Sequence, residues 1–305
     1  MSLRRYLPVN GLAYALLVLA ALFWGANLVA VRFAVGNVSP MALGCLRWVV
    51  VLLVLAPFAA RRCVDAAPAL RAHWRPILWI GGFGLTVPNL LIFVAAQSTT
   101  ALNMAIFLGA TPAFVFLGAL LWHRTPSSPL QVVGMLATLL GVAVAAVRGD
   151  VARIADFGIH LGDLFVLLSG VAGAAYQLYL RNTPPLAPLV LFYALAAVAF
   201  LVSLPMAAAE ALLGGGFWPT GVGWAVVAYV GLFPTFLSSF CMMRGIQMIG
   251  ASRGSLFVNL TPVFASLFAV LLLNEVVEPF HVVAVMLVLG GIVLSEIKAR
   301  SAGAG

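Results

Sequence analysis

Apolar stretches of about twenty residues, nearly free of charge, recur from one end of this chain to the other, and the polar breaks between them are too short to hold a soluble domain. At 1.5 Å of rise per residue, ~20 such residues carry a helix across a ~30 Å hydrocarbon core. Ten stretches qualify. They fall at approximately 12–34, 40–60, 76–97, 101–122 and 129–147, then 162–181, 187–209, 222–244, 252–273 and 279–297. Residues 12–34 form too long a run for the apolar region of a signal peptide, so they read as a retained first helix. With 64% of its residues hydrophobic and 8% charged, the chain lies far from the composition of a water-soluble domain. The expected fold class is an all-α integral membrane protein with ten transmembrane helices.

A net charge of +8 raises the question of nucleic acid. The arginines, however, cluster at the ends of apolar stretches rather than on a folded basic module with base-stacking aromatics. The bilayer is the partner this pattern implies, with no nucleic acid. With the N-terminus in the cytoplasm, Arg4, Arg5, Arg61, Arg62, Arg71, Arg75, Arg124, Arg181, Arg244, Arg253, Lys298 and Arg300 fall on the cytoplasmic side. Arg148 and Arg153 fall outside, beside Asp150, Asp156, Asp163, Glu210, Glu275 and Glu278. Both termini are therefore expected inside. Cys45, Cys63 and Cys241 have no CxxC or Cys/His ligand spacing, so free thiols, no metal and no cofactor are expected.

The two halves repeat. A shift of 150 aligns residues 81–147 with 231–297 without a gap, and 16 of 67 positions are then identical. Among them are Gly81/Gly231, Gln97/Gln247, Phe107/Phe257, Thr111/Thr261, Pro112/Pro262 and Gly141/Gly291. A shift of 148 pairs Gly25 with Gly173, Pro40 with Pro188 and Pro57 with Pro205. Residues 1–150 and 151–305 thus read as two copies of a five-helix unit. An odd number of spans per copy turns the copies upside down relative to each other, and such inverted repeats underlie alternating access around a midplane site.

Helix-interrupting prolines mark where that site is expected. Pro112 and Pro262, with Pro88 and Pro234 in the preceding helices, each remove a backbone hydrogen bond near mid-membrane in corresponding places of both halves. Polar and aromatic stripes reach the same depth: Ser252, Ser255, Asn259, Pro262 and Ser266 in the ninth helix, Thr86, Asn89, Phe93 and Gln97 in the third, Asn103, Phe107, Thr111 and Phe114 in the fourth. Trp24 and Asn27, Tyr176 beside Gly173, and Ser238 with Met242 add helices one, six and eight. The expected substrate-binding residues are Trp24, Asn27, Thr86, Asn89, Phe93, Phe107, Thr111, Tyr176, Ser238, Met242 and Asn259. Amide and hydroxyl groups suit a zwitterion or small polar molecule, and the aromatics suit an apolar side chain. Taken singly, any of these groups equally suits a hydrogen bond to a neighbouring helix.

Charged side chains inside the spans are few. Arg32 lies near a helix end and is expected to snorkel to an interface; for Arg47, deeper in, snorkelling and pairing with a backbone carbonyl are both open. Asp163, Glu275 and Glu296 are the carboxylates left to carry any proton coupling. Gly250-Ala251-Ser252-Arg253-Gly254 matches the G-x-S-x-G pattern of serine hydrolases, but it is expected in a short connection between helices instead of a strand-to-helix turn, so no enzyme is expected. A scaffold is the other remote reading, and a sealed core would mark it.

Phe23-Trp24-Gly25-Ala26-Asn27, Leu46-Arg47-Trp48, the two Pro-centred helices, and Leu272-Leu273-Asn274-Glu275 followed by Gly290-Gly291-Ile292 resemble the drug/metabolite transporter superfamily, in its ten-helix branch with two EamA-type domains. The first copy departs from that pattern with Trp122-His123-Arg124 where an acidic residue is often found. The resemblance implies an exporter of small molecules in a bacterial inner membrane, closest to exporters of aromatic or other neutral amino acids. A broad-specificity exporter of drugs or toxic compounds is the alternative. A small-molecule substrate is the expected partner, and a monomer is compatible with this class.

Overall fold

The computed structural model describes residues 9–123, 128–146, 161–179, 182–249 and 255–297, and among these the regular structure is entirely helical. The first half contains α1 (Val9–Ala34), α2 (Pro40–Asp65), α3 (Ala67–Ala72), α4 (Trp74–Leu78), α5 (Val87–Ala95), α6 (Ala101–Leu108), α7 (Thr111–His123) and α8 (Pro129–Ala146). The second contains α9 (Leu161–Tyr179), α10 (Pro188–Leu212), α11 (Gly221–Val230), α12 (Ser238–Ile249), α13 (Thr261–Leu273) and α14 (Pro279–Ile297). Among the described residues, seven helical stretches are long and apolar enough to cross a membrane: Gly11–Ala34, Pro40–Asp65, Trp74–Ala95, Ala101–Leu121, Leu161–Tyr179, Pro188–Leu212 and Gly221–Ile246. Shorter apolar helices, Pro129–Ala145, Thr261–Leu273 and Pro279–Leu294, occupy the other three expected spans.

Local chemistry sets the helix starts. Pro40, Pro129, Pro188 and Pro279 open their helices, where the missing N–H is no loss. Ser128 and Gln131 close a reciprocal capping box, with the Gln131 amide donating to Ser128 Oγ (3.3 Å) and the Ser128 amide to Gln131 Oε1 (2.9 Å). Thr100 and Thr220 cap α6 and α11 by accepting from the Asn103 and Gly223 amides, both at 3.1 Å. At the other end of α13, Asn274 adopts the left-handed conformation (φ 52°) that stops a helix.

The bundle is apolar outside as well as inside. Leu53, Leu121, Leu201 and Val293 are all more than half exposed, on helices that carry few charges. Lipid tails, not water, satisfy such a surface.

The expected proline breaks are present, and in matched pairs. The stretch between α4 and α5 opens into a π-helical turn at Trp79–Gly84, and the stretch between α11 and α12 does so at Gly231–Leu237. Each turn has a threonine hydroxyl donating to the carbonyl five residues back: Thr86 to Gly81 (3.0 Å) and Thr235 to Val230 (2.7 Å). The second pair lies at Thr111-Pro112 and Thr261-Pro262. Gly109 and Ala110 separate α6 from α7, and a 3₁₀ turn at Ser255–Leu260 precedes α13.

Packing exchanges partners between the halves. α8 lies along α14 and α2 along α10, while α1 packs between α12 and α13 as α9 packs between α5 and α7. Glycines make the close contacts. A Cβ on Gly141 would lie 2.7 Å from the Ala284 carbonyl oxygen, and one on its counterpart Gly291 would lie 2.7 Å from the Thr138 amide nitrogen. A Cβ on Gly81 would lie 2.8 Å from the Leu195 carbonyl of α10, and one on Gly231 2.9 Å from the Arg47 carbonyl of α2. The serine joints follow the same exchange: Ser238 donates to the Ala20 carbonyl (3.0 Å) and Ser169 to the Pro88 carbonyl (2.8 Å). Positions 88 and 238 are equivalent at the 150-residue shift.

Polar side chains tie one end of the bundle together around the turn from Ala96 to Leu102. Arg32, in the last turn of α1, donates to the Ala96 carbonyl, and Thr99 donates to the buried carboxylate of Asp163 at the start of α9. Both Glu275 oxygens accept from the first amides of α6, Ala101 and Leu102, each at 2.9 Å. A carboxylate at a helix N-terminus is the favourable sign for the helix dipole. At the same end, Glu210 accepts from the Met41 amide (3.1 Å) and Thr220 donates to Asn37 Oδ1 (2.7 Å).

Candidate functional site

Where the interrupted helices meet, midway along the bundle, they enclose a cavity of ≈ 480 Å³. That volume lies within the size range of small-molecule sites. Trp24, Asn27 and Leu28 of α1 form one wall, and Pro88, Asn89 and Ile92 of the α5 stretch form a second. Ala105, Leu108, Gly109, Thr111, Pro112 and Val115 follow the α6–α7 break. Ser169, Gly173 and Gln177 of α9 face Val258, Thr261, Pro262 and Ile292. Three repeat-related pairs therefore share one cavity: Leu108/Val258, Thr111/Thr261 and Pro112/Pro262. Among the described residues, no charged side chain lines it.

The structure brings four of the expected site residues, Trp24, Asn27, Asn89 and Thr111, onto this wall. Trp24 is held by its indole N–H donating to the Pro234 carbonyl (3.1 Å), and Asn89 Nδ2 donates to the Leu85 carbonyl (3.0 Å). Asn27 Oδ1 and Thr261 Oγ1 are buried without a hydrogen-bond partner. Thr86, Phe93, Phe107 and Ser238 are instead packed within the bundle, Thr86 and Ser238 with their hydroxyls on backbone carbonyls. Met242 sits in a small apolar cluster with Leu17, Ala20 and Cys241. Tyr176 is turned against Gly84, where an added Cβ would overlap its ring. Asn259 lies in the Ser255–Leu260 turn, but its side chain is outside the described residues, as are Ser252 and the whole Gly250–Gly254 motif.

Ser169 and Gln177 were not among the expected residues. Their signal is the four-residue spacing 169, 173, 177, which puts Gly173 and Gln177 on one face of α9 and turns Tyr176 away from it.

Arg47 lies beside this wall, 3% exposed. Its guanidinium donates to the Leu85 carbonyl (2.9 Å), the acceptor that Asn89 also uses, and lies 4.5 Å from the Trp48 ring centroid and 5.3 Å from that of Phe93. Of the two readings open for Arg47, the carbonyl pairing is the one observed. Arg32 likewise bonds a carbonyl, that of Ala96. The three cysteines are free.

A helical bundle with an apolar outer surface, seven helices long and apolar enough to cross a membrane among the described residues, and a largely apolar central cavity dotted with a few amide and hydroxyl groups describes a multi-pass membrane protein. The chain belongs to the EamA-like transporter family, which matches it twice, at residues 11–147 and 157–297. It is similar over 93% of both chains to the uncharacterized transporter YyaM of Bacillus subtilis (strain 168), at 26% identity across 292 residues. The uncharacterized transporter YetK of the same organism is 23% identical over 291 residues, covering 94% of this chain and 88% of its own. A solved crystal structure of a protein superimposes with a TM-score of 0.64 at 21% identity, covering 95% of this chain and 98% of the other, a likeness of fold. Transporters, not enzymes, are what these relatives are.

Proposed function

We propose that the chain exports small neutral or zwitterionic metabolites, aromatic and other neutral amino acids foremost, by alternating access around the cavity. In this reading it crosses a bacterial inner membrane ten times, as two inverted five-helix halves, 1–150 and 151–305, with both termini in the cytoplasm. The carrying observation is that repeat-related residues from both halves, Thr111/Thr261 and Pro112/Pro262, line one cavity. Two units of the same design then meet the solute from opposite sides, and an exchange of their conformations moves the opening from one face to the other.

Inversion has separate support. The repeat equates α1 with α9, yet the C-terminal end of α1 and the N-terminal end of α9 meet at the same turn, through Arg32 and Asp163. The copies then run in opposite directions. With the arginine-rich connections inside, that polar turn faces outside and forms the closure that outward opening must break. Trp24, Asn27, Asn89 and Thr111 contact the solute in this scheme, and Asn259 adjoins them in the α13 break. Thr86, Phe93, Phe107, Tyr176, Ser238 and Met242 act from behind the wall. One chain holds the whole cavity, so a monomer suffices.

Counterflow into vesicles carrying the purified chain, with a panel of amino acids, nucleosides and cationic dyes, tests this. Exchange of a labelled aromatic or neutral amino acid is expected. Dye exchange without amino acid exchange shifts the assignment to a broad-specificity exporter, and no exchange of any compound overturns the transport reading.

A further inference from the structure

A second concave surface, of ≈ 420 Å³, runs along the α4–α5 stretch away from the central cavity. Trp74 and Arg75 stand at one end of this groove, Leu78, Gly82 and Val87 follow along it, and Val202 of α10 forms the opposite wall. Trp74 is 55% exposed and Leu78 46%, so the groove faces outward from the bundle. At 1.5 Å per residue, Arg75 to Val87 spans ~18 Å, about the depth of one leaflet of a ~30 Å hydrocarbon core. Gly82 keeps it open: a Cβ there would lie 3.2 Å from Val202 Cγ2 and 3.8 Å from Leu78 Cδ1.

The end of the groove is basic. The Arg75 guanidinium lies 5.5 Å from the Trp74 ring centroid, and among the described residues it has no carboxylate partner. Arg61, Arg62 and Arg71 are exposed on α2 and α3, which lead into α4, and Asp65 is the single carboxylate within residues 61–75. The repeat supplies an internal comparison. Trp74 has its counterpart in Trp224 at the 150-residue shift, but Arg75 meets Ala225 and Gly82 meets Leu232. The second copy thus replaces both the charge and the gap, so neither is a requirement of the shared helix design.

We propose that this groove binds an anionic phospholipid of the leaflet that holds these arginines, with its phosphate against Arg75 and one acyl chain laid from Leu78 to Val87. A guanidinium offers phosphate oxygens a fork of directed N–H donors, and basic pockets between membrane helices suit anionic head groups. Trp74 stands at the head-group level that its amphipathic ring favours, and a chain beside Gly82 supplies contacts that the missing side chain leaves unmade. The proposal requires only a membrane-embedded chain and holds whatever solute the central cavity takes.

Native mass spectrometry of the full chain, released from micelles doped with dioleoyl phosphatidylglycerol or dioleoyl phosphatidylcholine, tests it. One phosphatidylglycerol is expected to stay bound, at least about fivefold more tightly than phosphatidylcholine, as the attraction of one arginine for a net negative head group implies. Arg75→Ala should remove that preference, whereas Arg61→Ala, which takes the same charge from outside the groove, should lower it by less than about twofold. Gly82→Leu, the residue of the second copy, should abolish retention of the bound lipid; if that variant does not fold, Arg75→Ala against Arg61→Ala decides. Equal retention of the two lipids overturns the proposal, as do equal losses for the two arginine variants, which would mean a diffuse basic belt. Displacement of the lipid by glycerol phosphate at comparable concentration also overturns it, because a head group alone would then suffice without the groove.

Discussion

A buried guanidinium in a membrane bundle needs an explanation, and Arg47 has a local one. The break before α5 leaves the Leu85 carbonyl to side chains, and Arg47 and Asn89 both donate to it. A hydrogen bond from a charged group is worth ~1.5–3 kcal/mol, but desolvating the guanidinium offsets most of that. Replacing it with an apolar side chain of similar length is therefore expected to change stability little and to loosen Asn89, which faces the cavity. Arg47→Met should retain its unfolding temperature within a few degrees and lose transport by about three- to tenfold, as about 1 kcal/mol of lost positioning implies. Collapse of the fold with normal transport in the surviving protein would make Arg47 purely structural. At this scale the sequence identified residue types well and directions poorly. Asn27 and Thr111 announce themselves as polar groups in apolar helices, whereas the rotation of α9 that presents Gln177 and hides Tyr176 depends on what packs against Gly84.

Among the elements, the joint between α8 and α14 is the least forgiving. Gly141 and Gly291 each face the backbone of the other helix, and helix association in lipid relies on such close packing because apolar bulk supplies no driving force. Gly141→Val places its branches against the Ala284 carbonyl and Leu287, so the helices must separate. Overpacking of this kind costs about 1–3 kcal/mol, seen as a lower unfolding temperature of the detergent-solubilised protein. Val142→Ala, one position along, should cost less, and equal losses for the two would remove the close-approach argument. The element boundaries followed visible signals: prolines at starts, the Ser128/Gln131 box, Asn274 at a stop. The π-helical turns at Trp79–Gly84 and Gly231–Leu237 had only the prolines 88 and 234 as warning, because an extra residue in a turn leaves no mark in hydrophobic periodicity.

For the molecule as a whole, the two Thr-Pro breaks are expected at similar depth, since Thr111-Pro112 and Thr261-Pro262 line the same cavity. Single cysteines at positions 112 and 262, in a chain freed of its three native thiols, should react with a small water-soluble thiol reagent at rates within about tenfold, and added substrate should slow both. Labelling from opposite sides, with no protection by substrate, would show that the cavity does not connect the halves. Membrane residence, all-helical class and duplication were legible in the chain itself, because hydrophobic run length, proline positions and a repeat offset of 148 to 150 residues are linear properties that survive without coordinates. Which helix meets which was not. The exchange that sets α1 against α12 and α13, and α9 against α5 and α7, arises from glycine and serine contacts between residues far apart in the chain. The cavity follows from that exchange: prolines on two distant breaks were brought to face one space, and only three-dimensional packing does that.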